Sequence, residues 1–226
     1  MIGKFKRKLK KKYCDLLNLY YGRINYDFDN KPKRWNLINE IIIKKKYNDY
    51  LEIGCFNDDC FSKINIDNKV GVDPLKGGTI RKTSDEFFKT NSNKFDIIFI
   101  DGLHIYEQVK KDILNSIEFL NKDGIILCHD SLPTEYTEQT VPSMGGIWVG
   151  DVWKAIAEIR NFKNLDICVC TIDHGVSIIK VRENSNLPKS LNVNFKKLDY
   201  KFYYKNHKWL MNTKEYEDSI KFAVHK

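Results

Sequence analysis

The sequence has no run of eighteen apolar residues, which excludes a hydrophobic membrane-spanning helix. It also lacks the apolar stretch near its amino terminus that a secretory signal carries, so a cytoplasmic setting is expected. No C-x-x-C pair occurs. The six cysteines, at positions 14, 55, 60, 128, 168 and 170, stand singly, four of them in or beside predicted strands. Buried free thiols in a reducing compartment are expected, rather than disulfides or a zinc site. The dinucleotide fingerprint G-x-G-x-x-G is missing, and no internal repeat is apparent. A basic body is missing too. The net charge of +8 is concentrated in residues 1–12, which hold seven Lys/Arg and no acid; the remaining chain has 31 basic against 30 acidic residues. Nucleic acid is therefore not an expected partner.

Apolar residues amount to 42% of the 226, enough for one good-sized α/β domain with appendages. The chain is organised around Lys94–Glu107. Ile97–Ile100 is an uninterrupted apolar run of the kind that forms a strand buried on both faces. It delivers Asp101, Gly102 and His104 to its carboxyl end. Ile105, Val109, Ile113, Ile117 and Leu120 then recur at helical spacing. In open α/β sheets ligands bind at that edge, so this is the expected active site.

In chain order, Ile2, Phe5, Leu9, Tyr13, Leu16 and Tyr20 step by three or four with lysines between them. They predict a basic amphipathic helix that packs its stripe on its own domain, with peripheral contact to an anionic membrane (residues 1–20) or a second subunit as alternatives. Pro32 introduces a helix with Trp35, Ile38, Ile41 and Ile42. Tyr50–Ile53 is a strand, Gly54 opens a turn, and a helix is expected around Asp59–Ile64. A second strand, Lys69–Val72, stops at Asp73-Pro74. Thr83-Ser84-Asp85-Glu86 reads as a capping box. Lys122-Asp123-Gly124 is a turn, Ile125–Cys128 a strand leading to His129-Asp130-Ser131, and 132–150 a long Pro/Gly-rich loop. Asp151 is expected to cap the next helix. Leu165–Thr171 and Val176–Val181 form an antiparallel pair around Asp173-His174-Gly175, whose histidine, like His207 and His225, reads as structural or surface. One weak helix is expected near Glu215–Val224. The fold class is thus α/β, a doubly wound, mostly parallel Rossmann-like sheet with an antiparallel terminal pair. Five strands alternate with helices before that pair, and Asp101 ends the fourth. Three parts are expected: amino-terminal helices (1–47), a catalytic domain (48–182), and a carboxyl-terminal cap or oligomer contact (183–226).

Glu52 lies within the first strand, and Asp73 and Asp101 end later ones. An acid at the end of the second strand, about twenty residues after a glycine turn, suits a ribose diol. The turn itself, with Asn57, Asp58 and Asp59, would repel a pyrophosphate yet tolerate a cationic nucleoside. S-adenosylmethionine is such a ligand.

Leu51-Glu-Ile-Gly-Cys, Val70-Gly-Val-Asp-Pro, Thr83-Ser-Asp-Glu-Phe-Phe, Ile100-Asp-Gly-Leu-His-Ile-Tyr-Glu-Gln-Val and Gly124-Ile-Ile-Leu-Cys-His-Asp together resemble class I S-adenosylmethionine-dependent methyltransferases. The likeness covers roughly residues 48–182 and points to the small O-methyltransferases found with sugar, polysaccharide and natural-product pathways. It implies that Glu52 and Gly54 form the cofactor turn, that Asp73 holds the ribose hydroxyls, that Ser84 and Asp85 lie near the adenine, and that Asp101 adjoins the cofactor. His104 is the expected general base, near neutrality in its reference pKa, and Asp101 is expected beside it as a second catalytic residue. Asp101, His129 and Asp130 are candidate ligands for Mg²⁺ or another divalent cation, although His129 stands where metal-dependent relatives carry an acid and favours softer ions. The expected acceptor is a hydroxyl of a sugar, glycan precursor or similar molecule, with Trp148 and Tyr136 placed to stack on it. The alternatives are a non-catalytic or membrane-associated nucleoside-binding module, or an NAD-dependent enzyme. A homo-oligomer is a further expectation.

Overall fold

The computed structural model describes residues 2–188 and 193–225. Seven strands form one sheet in the order β2-β1-β3-β4-β6-β5-β7. β1 (Asp49–Ile53), β2 (Asn68–Val72), β3 (Phe95–Ile100) and β4 (Leu120–Cys128) are mutually parallel. β6 (Val176–Val181) runs antiparallel to both β4 and β5 (Leu165–Cys170), and the two-residue β7 (Thr213–Lys214) is parallel to β5.

The sequence pattern explains this arrangement. Consecutive residues of a strand face opposite sides, so a run apolar at every position needs cover on both. Tyr50, Ile97, Phe99, Ile125 and Leu127 point to one layer, where α2 (Arg34–Lys45) contributes Leu37, Ile38 and Ile41 and α7 (Tyr216–Val224) contributes Ile220. Leu51, Ile98, Ile100 and Ile126 point to the other. There α3 (Ser84–Thr90), α4 (Tyr106–Glu118), α5 (Val152–Ile159) and α6 (Tyr200–Met211) cover them with Phe87, Val109, Trp153 and Tyr203. All six cysteines are buried, with free thiols.

Several local expectations change. Four strands rather than five precede the terminal pair, so Asp101 follows the third. Between β2 and β3 only a single parallel bridge, Val72 to Ile80, forms where another strand was counted. The segment 59–64 holds one 3-10 turn, Phe61–Lys63, instead of an α-helix. Lys122–Gly124 is absorbed into β4, with a register shift between Phe95 and Ile97 that accommodates Asp123 at positive φ. The carboxyl-terminal stretch holds two helices, since α6 precedes the expected α7. Asp151 does sit at the start of α5, but its carboxylate accepts from the Tyr106 N–H (2.7 Å) and so caps α4.

The basic helix α1 (Ile2–Tyr21) forms, turned differently from expectation. Cys14 is its buried residue, Leu17, Asn18 and Tyr21 are partly buried, and Leu9, Tyr13, Leu16 and Tyr20 face solvent. The side chains of Ile2 and Phe5 lie outside the described residues. Among those described, no helix is long and apolar enough to cross a membrane.

Candidate active site

Strand order reverses at β1 while the strands stay parallel: β2 lies on one side of β1, and β3 and β4 lie on the other. A crevice therefore opens at the carboxyl ends of β1 and β3. It holds a cavity of about 800 Å³ lined by Glu52, Gly54, Asp73, Ser84, Asp85, Asp101, His104, His129 and Asp130, so the expected cofactor, catalytic and metal residues meet there.

Gly54 ends β1 with φ +91°, and a Cβ on it would stand 2.3 Å from the Asp101 carbonyl oxygen. The turn fits only because it is glycine. Next to it, Glu52 is buried and accepts the Tyr50 hydroxyl, and burial raises its pKa to about 7. At the end of β2, Asp73 is fixed by the backbone: Oδ2 accepts from Phe56 N–H (2.9 Å), and Oδ1 from Leu75 (2.7 Å) and Lys76 (3.0 Å). Burial works to raise its pKa, but these bonds outweigh burial and hold it below the usual range. One carboxylate thus ties both turns of the crevice together.

At the far wall Thr83 caps α3 in the expected capping box with Glu86. Ser84 and Asp85 both receive Gln108 Nε2, at 3.2 Å each, and Gln108 also donates to the buried Asp112 (2.9 Å).

The densest cluster lies past β3 and β4. His104 Nε2 is 3.3 Å from Asp101 Oδ1, and its Nδ1 is 3.1 Å from Asp130 Oδ2 and 3.3 Å from the Trp148 carbonyl. Nδ1 of His129 is 3.1 Å from Asp101 Oδ1 and 3.3 Å from Asp130 Oδ1; Nε2 donates to the Asp173 carbonyl at 2.6 Å. Burial lowers both histidines, yet the surrounding carboxylates prevail: His104 is raised, and His129 is raised to about 9. Of the two acids, Asp101 is the more firmly ionised. Burial opposes its ionisation, but His129 and His104 hold it far below the usual range, whereas burial carries Asp130 upward. Asp130, Asp173 and His174 all take left-handed backbone (φ 57°, 43° and 61°), a conformation costing of order 1 kcal/mol for each and concentrated in functional sites.

Ligand atoms of Asp101, His104 and Asp130 all lie within 4.8 Å of one another, a mixed carboxylate–imidazole set that fits a divalent cation of the softer kind better than Mg²⁺. His129 Nδ1 also reaches both carboxylates, while its other nitrogen is committed to Asp173.

Four lining or supporting residues escape sequence reasoning. Arg34, the first residue of α2, places Nη1 2.9 Å from Asp173 Oδ2 and Nε 3.5 Å from Asp101 Oδ2. Asp173 follows the carboxyl end of β5 and so carried the same signal as Asp101. Gln108 and Asp112 sit one turn apart on α4 among ordinary helix polars, and nothing local marks them. Conversely, Trp148 lines the cavity with its ring 5.3 Å from that of His104, whereas Tyr136 packs edge-on against Tyr200, outside the cavity lining.

Comparison with known proteins agrees with this geometry. A family model described as "Methyltransferase domain" matches residues 58–131. An uncharacterized protein of Acanthamoeba polyphaga mimivirus is 29% identical over 133 residues, covering 46% of this chain; the chain spans 60% of that relative's length. Among solved structures, a cofactor-bound protein from MTB is similar with a TM-score of 0.51 and 12% identity, over 76% of this chain and 89% of that one. A structure described as a candidate O-methyltransferase from Klebsiella pneumoniae gives 0.50 and 13% identity, over 73% of this chain and 86% of that one. Residues 58–131 thus resemble a methyltransferase domain, and the two solved structures share the α/β fold of this chain.

Proposed function

We propose that this chain, built on the methyltransferase fold, transfers the methyl group of S-adenosylmethionine to a hydroxyl oxygen of a sugar, glycan precursor or similar small molecule. One observation carries the reading. A single cavity holds seven acidic side chains (Glu52, Asp59, Asp73, Asp85, Asp101, Asp112 and Asp130), of which Asp73, Asp85 and Asp101 are held below the usual carboxylate range, against one arginine and two histidines. Such a lining attracts a sulfonium and repels the pyrophosphate of NAD.

When bound, the cofactor would supply an electrophilic methyl carbon open to in-line attack by the acceptor oxygen, with S-adenosylhomocysteine as the leaving group, so positioning provides most of the catalysis. Gly54 lets the ligand approach the backbone between β1 and β3. Asp73, already held rigid by three N–H groups, accepts from the ribose hydroxyls, while Ser84, Asp85, Gln108 and Asp112 offer polar groups at the adenine end. His104 takes the acceptor proton. Asp101 and Asp130 flank its two nitrogens, favour the imidazolium that results, and fix the ring plane. Trp148 backs that ring and walls the acceptor side. The sugar acceptor itself rests on the resemblance of sequence motifs and on this aromatic wall.

The convergence of Asp101, His104 and Asp130 favours a second reading in which those three would hold a divalent cation, whose chemistry there would be Lewis-acid activation of the acceptor hydroxyl. His104 would then be a ligand and not the general base.

Calorimetric titration with S-adenosylmethionine, S-adenosylhomocysteine and NAD, with and without Mg²⁺ or Mn²⁺, tests the proposal. The first two should bind at micromolar concentrations. Asp73→Ala should weaken both by roughly tenfold or more, and His104→Gln should leave binding intact while slowing methyl transfer to hydroxylated acceptors about a hundredfold. Loss of that transfer in a chelator, restored by Mn²⁺, selects the metal reading. Tighter binding of NAD, or indifference to Asp73→Ala, rejects the assignment.

A further inference from the structure

We infer that α1 is a docking element for an anionic lipid bilayer, lying along the membrane surface with its apolar stripe inserted. The inference does not depend on the identity of the methyl acceptor.

The helix has two apolar faces, and the domain uses one. Cys14, Leu17 and Tyr21 pack inward, and Asn18 locks that face in place: Nδ2 donates to Thr137 Oγ1 (2.7 Å), and Oδ1 accepts from Thr137 N–H (3.0 Å). About a third of a turn away, Leu9, Tyr13, Leu16 and Tyr20 fall on one line at spacings of four, three and four. They are 62%, 58%, 64% and 78% exposed, and Leu19 beside them is 83% exposed. Among the described residues nothing covers this stripe.

Charge identifies the occupant. Lys6 and Lys12 border the line on its two sides, and Lys8 and Lys10 stand one step further out. Among the described residues none of these cations is within ion-pair distance of a carboxylate, and Asp15 is the single acid of the helix. A strip of leucine and tyrosine flanked by long basic side chains matches the boundary between acyl chains and anionic headgroups. Tyrosine hydroxyls and lysine ammoniums stay in the wet layer while their stems are buried. A second copy of the chain on the same stripe would set two lysine-rich faces against each other, which charge repulsion opposes.

The docking would reach the active site through one loop. Lys6, Arg7 and Lys10 line a shallow groove with Pro142, Ser143 and Met144, and Asn18 holds Thr137 of that same 132–150 loop, which carries Trp148 beside His104. A membrane-bound α1 thus anchors the wall of the acceptor side.

Co-sedimentation of the full chain with phosphatidylcholine vesicles, with and without added phosphatidylglycerol, tests the inference. Binding should require the anionic lipid and weaken with salt. Leu9→Ser/Leu16→Ser should reduce it by more than roughly tenfold, because each leucine withdraws a largely exposed side chain from water. Lys8→Glu/Lys12→Glu should abolish it, while S-adenosylhomocysteine binding shows both variants folded. Absence of binding to anionic vesicles overturns the inference. So does binding that is indifferent to the leucine substitutions, or a solution dimer that the same substitutions dissociate.

Discussion

Arg34 and Asp173, 139 residues apart, join the start of α2 to the turn between β5 and β6 through a 2.9 Å ion pair, and the Arg34 backbone N–H reaches the same carboxylate at 3.1 Å. The guanidinium also spans to Asp101. Burial opposes its charge, yet the two carboxylates keep it fully protonated, and Asp173 in turn stays below the usual carboxylate range. Arg34→Met leaves both acids buried without this cation, and the expected cost is about 3 kcal/mol of unfolding free energy in urea titration. Arg34→Lys should fall between, since one ammonium cannot serve both carboxylates in the same plane. Equal stability of all three proteins would contradict this account.

The Gly54 turn makes a different prediction, steric rather than electrostatic. Gly54→Ala forces a methyl into the Asp101 carbonyl at positive φ. It should destabilise by about 2 kcal/mol or more and lower cofactor affinity by calorimetry. Gly22→Ala is the control. Its φ is also positive (+71°), but a Cβ there meets nothing within 4 Å, so only the backbone strain of about 1 kcal/mol should appear, with affinity unchanged.

Asp112 supplies a pH signature. Burial, partly offset by hydrogen bonds from Ser84 and Gln108, raises its pKa from 3.8 to about 6. The folded state holds this proton more tightly than the unfolded chain does. The stability it contributes is therefore complete below the unfolded value and is lost as pH rises through about 6. Asp112→Asn has no such dependence. Relative to the native protein, the variant should gain stability between about pH 4 and 7, by an amount of order 2–3 kcal/mol. Thermal melts of both proteins across that range check it; a difference that stays constant with pH would refute the assignment.

The fold and the location of the site were legible because their signals are local. Doubly apolar runs such as Ile97–Ile100 require cover on both faces, and acids or glycines placed just past them must reach one sheet edge, which is why Gly54, Asp73, Asp101 and Asp130 surround a common cavity. The capping box at Thr83 and the helical spacing of α1 and α4 are equally local. Tertiary structure alone decided the rest. Which face of α1 is buried depends on Thr137, more than a hundred residues away in sequence, so the periodicity of Leu9, Tyr13 and Leu16 marked an amphipathic helix without telling which way it turns. Asp151, read as the cap of its own helix, caps α4 instead, because a side-chain carboxylate bonds to whichever N–H packing brings near it. Arg34 looks like an ordinary polar residue until the sheet closes and sets its charge against those of Asp173 and Asp101 in a desolvated crevice. Periodicity and strand-end chemistry belong to the chain; partners across the fold belong to the packing.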